Sequence, residues 1–399
     1  GFGWLAGWEP AFGILVDSPI RTLTNFNFSV VPMFLLMGSL VSASGMSREL
    51  FRAANAWVGH LRGGMAMGTV LACGGFAAIN GSAVASAATM TTVALPEMRH
   101  AGYNPGFAAG VIAAGGTLGI MIPPSVMFIL YGILTEQNVA ELFIAGVMPG
   151  LLAMGLYCIT IQLVYWVKRD WMPPGERADR KERMQSLRDV WATLLLFFLV
   201  FGGIYAGFVT IVEAAGLGVI GALVIGVLRG RLTRAMIIEC LVESLRTSAA
   251  IFFILVTAFL FQYFLAVTQT SQLLGDLLTS LPFGPTGILI TILAFYIIAG
   301  MFIDDLAVVL LTIPIVFPIV VELGFDPIWF GVIIVTTVEI GLIAPPVGII
   351  CFIMSNMVPD IGVVKIYRGV MPFILSDLVR MALLIMFPSI ALWLVHTMG

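Results

Sequence analysis

Apolar runs of roughly twenty residues, the length an α-helix needs to cross ~30 Å of hydrocarbon, recur along the whole chain. Read in order, residues 26–46 span and 47–62 form an amphipathic surface helix. Residues 64–98 are apolar but interrupted at Asn80-Gly81-Ser82, with Pro96 near the end. Residues 105–134 span with a break at Pro123-Pro124, and 143–167 span. A long polar stretch, 168–190, follows. Residues 190–207 and 211–229 span, a basic connector leads to a span at 247–267, and 270–281 form a second surface helix. Residues 287–320 are interrupted at Ile303-Asp304-Asp305, 328–356 span with a second break at Pro345-Pro346, and 369–395 span. The opening GFGWLAGWEPAFGILV reads like the end of a spanning segment, so the chain is expected to lack its true start or to have been fused to something upstream.

Two of these segments carry a proline pair where water cannot repair a broken helix. A proline inside a helix removes a donor and clashes with the preceding turn, at a cost of roughly 3 kcal/mol. GIMIPPSVMFIL (119–130) and GLIAPPVGIICF (341–352) do this in the same way. GYNP and GFDP, Pro96 and Pro318, Gly119 and Gly341, and the two proline pairs all lie 222 residues apart, and GVMP recurs at 146–149 and 369–372. Each half reads as span, surface helix, interrupted segment, broken span, span, which predicts an internal duplication.

The basic residues set the orientation. If 64–98 and 287–320 are re-entrant hairpins, loops 47–62, 96–104, 168–190, 229–246 and 356–368 share one side and hold 17 of the 19 Lys and Arg. The loops opposite hold none, and Arg21 and Arg380 are the exceptions. By the positive-inside rule the rich side is cytoplasmic, so one hairpin enters from each face and the halves are inverted repeats. The predicted fold is an all-α polytopic membrane protein with inverted repeats, two re-entrant helical hairpins and two broken transmembrane helices.

Composition agrees. The chain is 60% hydrophobic and 10% charged, where a soluble domain has about 25% charged residues. The net charge of −3 adds little. Cys73, Cys158, Cys240 and Cys351 have no metal-binding spacing and read as buried structural thiols. There is no P-loop and no HExxH, and His60, His100 and His396 are scattered, so neither ATP hydrolysis nor another enzyme activity is expected. No cofactor or nucleic-acid partner is expected either; the partner the composition names is the lipid bilayer.

Inverted repeats with paired broken elements mark secondary transporters, whose substrate and ion sites lie where discontinuous helices meet. Broken backbone at that depth is tolerated where it lines a cavity or is buried in protein. Free carbonyls at a helix end suit a cation; free N–H groups at a helix start suit a carboxylate. Asn80, Gly81 and Ser82, with Ser86 and Thr89, are candidate Na⁺ ligands; the alternative for Ala83 to Ala88 is a small-residue packing face. Thr117 and Gly119 join the first ion region. Asp304 and Asp305 lie in an apolar segment, where a charge costs several kcal/mol unless paired. Asp304 is a candidate cation ligand or proton carrier, or else a helix cap. Gly341 completes the second ion region. Pro123, Pro124, Ser125, Pro345, Pro346 and Gly348 are the candidate substrate-facing breaks. Glu339 is either a ligand neighbour or half of an interface pair, Asp377 and Arg380 are spaced to pair on one helix face, with anion binding by Arg380 the alternative, and Glu213 reads as a helix start. Arg177 to Asp189 reads as a solvated loop.

GSAVASAATMTTVALPEM followed by GY and GGTLGIMIPPS resembles the large membrane subunit of tripartite ATP-independent periplasmic (TRAP) transporters. So do GMFIDD…PIVFPI, EIGLIAPPVG, the RGG at 62–64 and the two GVMP motifs. The resemblance covers nearly the whole chain. It implies a multi-pass protein of the bacterial inner membrane that imports organic acids, such as C4-dicarboxylates or sialic acid, on a Na⁺ gradient. It implies a small membrane subunit, separate or fused upstream, and a soluble periplasmic binding protein that delivers substrate. It implies an elevator motion of residues 63–134 and 287–356 against a scaffold of 1–62, 135–286 and 357–399, with arm helices in 1–62 and 135–286. Gly81, Ser82 and Gly119 to Ser125 match the family's first ion region; Asp304 and Gly341 to Gly348 match the second. Ala344 stands where the family often has Thr, and Asp305 adds a second acid. The alternative reading is a stand-alone Na⁺- or H⁺-coupled dicarboxylate symporter that needs no binding protein.

Overall fold

A computed structural model describes residues 2–175, 178–279 and 282–398. The described residues are helical apart from turns. The first half contains α1 (Phe2–Ala6), α2 (Trp8–Thr24), α3 (Val30–Ala43), α4 (Met46–Val58), α5 (Gly64–Asn80), α6 (Ala83–His100), α7 (Pro105–Met121), α8 (Val126–Thr135) and α9 (Val139–Val167). Then come α10 (Arg180–Asp189), α11 (Trp191–Tyr205), α12 (Ile211–Leu228) and α13 (Arg234–Val267). The second half closes with α14 (Thr270–Thr279), α15 (Pro285–Gly300), α16 (Asp305–Glu322), α17 (Pro327–Ile343), α18 (Ile349–Met357), α19 (Val363–Met386) and α20 (Ser389–Met398). Among the described residues, seven helical stretches are long and apolar enough to cross a membrane, and an eighth if α10 and α11 count as one. The chain is a multi-pass membrane protein.

The molecule is organised around α7 and α17. Every residue from Gly106 to Met121 and from Ile328 to Ile343 is buried. Both helices carry apolar residues around their whole circumference, broken by Thr117 on α7 and by Thr336, Thr337 and Glu339 on α17, the pattern of a helix enclosed by other helices. α7 packs against α5, α6 and α19; α17 packs against α15, α19 and α7. The short helix after each break crosses to the other half, α8 onto α16 and α18 onto α6. Tyr131 of α8 donates to the Pro327 carbonyl at 2.7 Å, at the start of α17.

The motifs GYNP and GFDP share one local structure. Gly102 and Gly324 both take φ +85°. Tyr103 N donates to Met98 O (3.0 Å) and Gly102 N to Arg99 O (3.0 Å); Phe325 N donates to Val320 O (3.2 Å) and Gly324 N to Val321 O (2.9 Å). These are the two bonds of a Schellman end. Asn104 and Asp326 then cap α7 and α17, and Pro105 and Pro327 take the first helical position. Four residues stop one helix and start the next.

Several boundaries differ from expectation. The basic connector 229–246 is helical from Arg234, because α13 extends its hydrogen bonds well beyond its apolar part. The polar stretch 168–190 contains α10, which packs on α4; Glu176 and Arg177 of that stretch lie outside the described residues. The span at 369–395 is two helices, separated at Phe387-Pro388. Both GVMP motifs lie inside helices that start several residues earlier, α9 at Val139 and α19 at Val363. The predicted surface helix 270–281 is described as α14 to Thr279, and its last two residues fall outside the described set. Glu213 is a helix start as expected: with Thr210 it forms a capping box at α12.

Candidate functional site

The first proline pair sits beside the tip of the α5–α6 pair. α5 ends at Asn80, Gly81 takes φ +70°, and Ser82 caps α6, accepting from Ala85 N at 3.3 Å. A Cβ on Gly81 would lie 2.6 Å from the Pro124 carbonyl, so only glycine suits both this backbone and this approach. Val126 N reaches Gly81 O at 3.4 Å. A Cβ on Gly119 would meet Ser82 O at 2.5 Å and Ser86 Oγ at 2.8 Å. Asn80 Nδ2 donates to Ser82 O (3.2 Å) and Ser86 Oγ (3.1 Å). Ser125 caps α8 by accepting from Phe128 N (3.3 Å) and donates to Ile120 O (2.5 Å). The structure thus brings together Asn80, Gly81, Ser82, Gly119, Pro124 and Ser125, with Pro123 in the same turn.

The second proline pair repeats this against the α15–α16 pair. Gly348 N, the counterpart of Val126 N at the 222-residue offset, donates to Met301 O at 3.3 Å. A Cβ on Gly341 would meet the Gly300 backbone at 2.8 Å. Asp304 caps α16, accepting from Leu306 N at 3.2 Å, and Asp305 is buried in the first turn of α16. Asp304 therefore does act as a helix cap. Tyr367 of α19 donates to Pro346 O (2.7 Å) and Val347 O (2.6 Å), anchoring the break. The Pro123–Pro124 and Pro345–Pro346 bonds are both cis.

Thr117 lies elsewhere. Its hydroxyl donates to Ala114 O (2.8 Å) and sits 3.4 Å from the Tyr157 hydroxyl on α9. Tyr157 donates to both Asp377 oxygens (2.8 and 2.7 Å). Arg380 pairs with Asp377 at 3.1 Å and with Glu339 of α17. All four of these side chains are fully buried. Glu339 is thus half of an interface pair, and the Asp377–Arg380 pairing expected from spacing is present. Tyr157 escaped sequence reasoning, since one tyrosine in an apolar span looks like a packing aromatic.

A cavity of about 720 Å³ opens on the side where the basic residues gather. Ser42, Ser44 and Arg48 line it from α3 and α4, and Thr89 and Thr92 line it from α6. Ser42 and Thr89 hydroxyls bridge across it at 3.1 Å.

The model of the family "Tripartite ATP-independent periplasmic transporter, DctM component" matches residues 2–390. The chain belongs to that family. It is 36% identical to the C4-dicarboxylate TRAP transporter large permease protein DctM of Pseudomonas aeruginosa, over 98% of this chain and 94% of that protein. It is 32% identical to the sialic acid TRAP transporter large permease protein SiaM of Vibrio cholerae, over 93% and 87%. It is 33% identical to the isethionate TRAP transporter permease protein DctMQ of Oleidesulfovibrio alaskensis, over 93% of this chain and 58% of that protein. The crystal structure of the Alcanivorax borkumensis YdaH transporter shares the fold, with TM-score 0.64 and 14% identity, over 98% of this chain and 90% of the other. These TRAP relatives are permease subunits rather than enzymes.

Proposed function

We propose that this TRAP subunit is a Na⁺-coupled importer of organic acids in the bacterial inner membrane. It works with a small membrane subunit and takes substrate from a periplasmic binding protein. The observation that carries this reading is the pair of proline breaks, each closed against the tip of a helix pair. At the first break Pro124 O lies beside Gly81 and Ser82 O beside Gly119, next to the Ser82 cap; Met301 O and the Asp304 cap lie at the second. These are oxygen donors, the set a hard cation prefers. α8 and α18 start at the same breaks, and the positive dipole ends of these helices suit a substrate carboxylate. The breaks belong to inverted repeats, with α5–α6 and α15–α16 as re-entrant hairpins entering from opposite faces.

The transport reading redraws the moving body. Sequence placed α9 and α19 in the scaffold. Yet Arg380 and Asp377 of α19, Tyr157 of α9 and Glu339 of α17 form one buried network, and a Cβ on Gly110 of α7 would strike Gly369 of α19. Sliding α19 past α17 would separate buried charges, at a cost of about 3–5 kcal/mol. We therefore assign α9 and α19 to the elevator, with α5–α8 and α15–α18, moving against α3, α4 and α11–α13. The cavity between α4 and α6 is then the cytoplasmic exit.

The test is uptake into proteoliposomes that contain this chain and its small subunit. The expected result is uptake that needs both a Na⁺ gradient and loaded binding protein. Full uptake in Na⁺-free buffer without binding protein would remove this reading and point to a stand-alone symporter.

A further inference from the structure

The transport reading has no use for α10, a helix in a stretch that sequence read as a solvated loop. Its side chains are sorted by face. At 3.6 residues per turn, Arg180, Lys181, Met184, Leu187 and Arg188 fall within an arc of about 120°. Glu182, Gln185, Ser186 and Asp189 fall opposite, where they line a cavity of about 1110 Å³ between α10, α4 and α6. Arg183 clamps the helix to α4: its Nε donates to Ala56 O at 3.1 Å and its guanidinium lies 5.8 Å over the Trp57 ring. Ser186 is turned into the protein, Glu182, Gln185 and Asp189 edge the cavity, and the cations Arg180, Lys181 and Arg188 face away from it.

The outward face is unlike a surface made for water. Arg180, Lys181 and Arg188 are exposed, and none forms an ion pair among the described residues. Between them Met184 and Leu187 are 55% and 42% exposed. Trp191, 49% exposed, continues the face onto α11, an apolar helix set at 43° to α10. Apolar side chains flanked by Lys and Arg are the composition of a helix lying in the membrane interface, and Trp concentrates at that depth. Phosphates of anionic lipids supply the missing counter-charge.

We infer that the outer face of α10 binds anionic phospholipid headgroups of the leaflet that α11 enters. Because Arg183 fixes α10 to α4, this contact holds α4 in the membrane plane. It gives the scaffold a brace on the side where the 720 Å³ cavity opens. The inference is independent of the coupling ion.

The experiment uses the full chain in proteoliposomes, with Met184→Cys carrying a bimane probe and the parent chain as labelling background. Brominated acyl chains report contact with the bilayer. The expected result is quenching several-fold stronger in bilayers containing phosphatidylglycerol than in phosphatidylcholine alone. R180Q/K181Q/R188Q should abolish that difference while leaving the thermal midpoint in detergent unchanged. High salt should weaken quenching in the parent and not in the triple variant. A probe that stays unquenched in both bilayers, or is quenched equally whatever the lipid charge, overturns the inference.

Discussion

The two proline breaks have one backbone plan and two chemistries. In each, a helix-pair tip meets the break through a glycine contact, Gly119 at Ser82 and Gly341 at Gly300, and the residue after the break donates back to the tip. In each, the residue at the tip caps the second helix of the pair. That residue is Ser82 in the first half and Asp304 in the second. The first tip is also covered: Asn80 is 5% exposed, against 58% for Phe302 at the matching position. The two breaks share backbone geometry and differ in the charge beside it. On the proposed reading, an ion at the first break would be held by neutral oxygens, whereas the second break has the carboxylate of Asp304 beside it.

The supports differ in the same sense, and this yields the largest expected effects. The second broken helix is tied by the Glu339–Arg380 ion pair; at the matching position of the first, the Thr117 hydroxyl donates to Ala114 O and touches the Tyr157 hydroxyl. Removing one partner of a buried pair costs about 3–5 kcal/mol, and losing a neutral buried hydrogen bond costs about 1 kcal/mol. Denaturation in detergent should therefore rank Arg380→Gln as most harmful, since it strands two carboxylates, then Glu339→Gln, then Thr117→Val. Equal costs for the last two would break the contrast.

A smaller effect is expected where the halves agree. A Cβ at Gly119 or Gly341 meets backbone, and overpacking of that kind costs about 1–3 kcal/mol. Gly119→Ala and Gly341→Ala should lower the thermal midpoint by similar amounts. A loss confined to one of them would show that only one tip is closed in the working protein. Smallest of all is Ala344→Thr, which restores a hydroxyl before the second proline pair. Na⁺ half-saturation of uptake should fall about twofold, a gain of ~0.4 kcal/mol; a rise would place residue 344 outside the ion's reach.

Much of this arrangement was legible along the chain. The proline pairs, GYNP and GFDP, and the Asn80-Gly81-Ser82 interruption are local signals of backbone geometry, and they stand where the helices break. What was hidden depends on partners far apart. Tyr157 meets Asp377 from 220 residues away, and nothing in the apolar run around it announces the contact. The length of α13 was hidden for another reason. Glu239, Glu243 and Arg246 read as a loop on a hydropathy scale, although a helix can carry charges on residues that are not in hydrocarbon. Thr117 was read with the first ion region beside Gly119; residues two positions apart on a helix point in different directions, and its hydroxyl meets Ala114 O and Tyr157.

We propose that the two breaks are two ion sites of unequal charge. This is tested most directly by Na⁺-dependent uptake in Asp304→Asn set beside the parent chain. Asparagine keeps a cap oxygen for Leu306 N, so the fold should keep its thermal midpoint while the charge is lost. Na⁺ dependence should be sigmoidal in the parent, with a Hill coefficient near the ~2 allowed by two sites. In Asp304→Asn it should flatten toward a single site and shift to about tenfold higher Na⁺, or ~1.4 kcal/mol. An unchanged curve in a folded Asp304→Asn protein would contradict it and leave Asp304 as a cap alone.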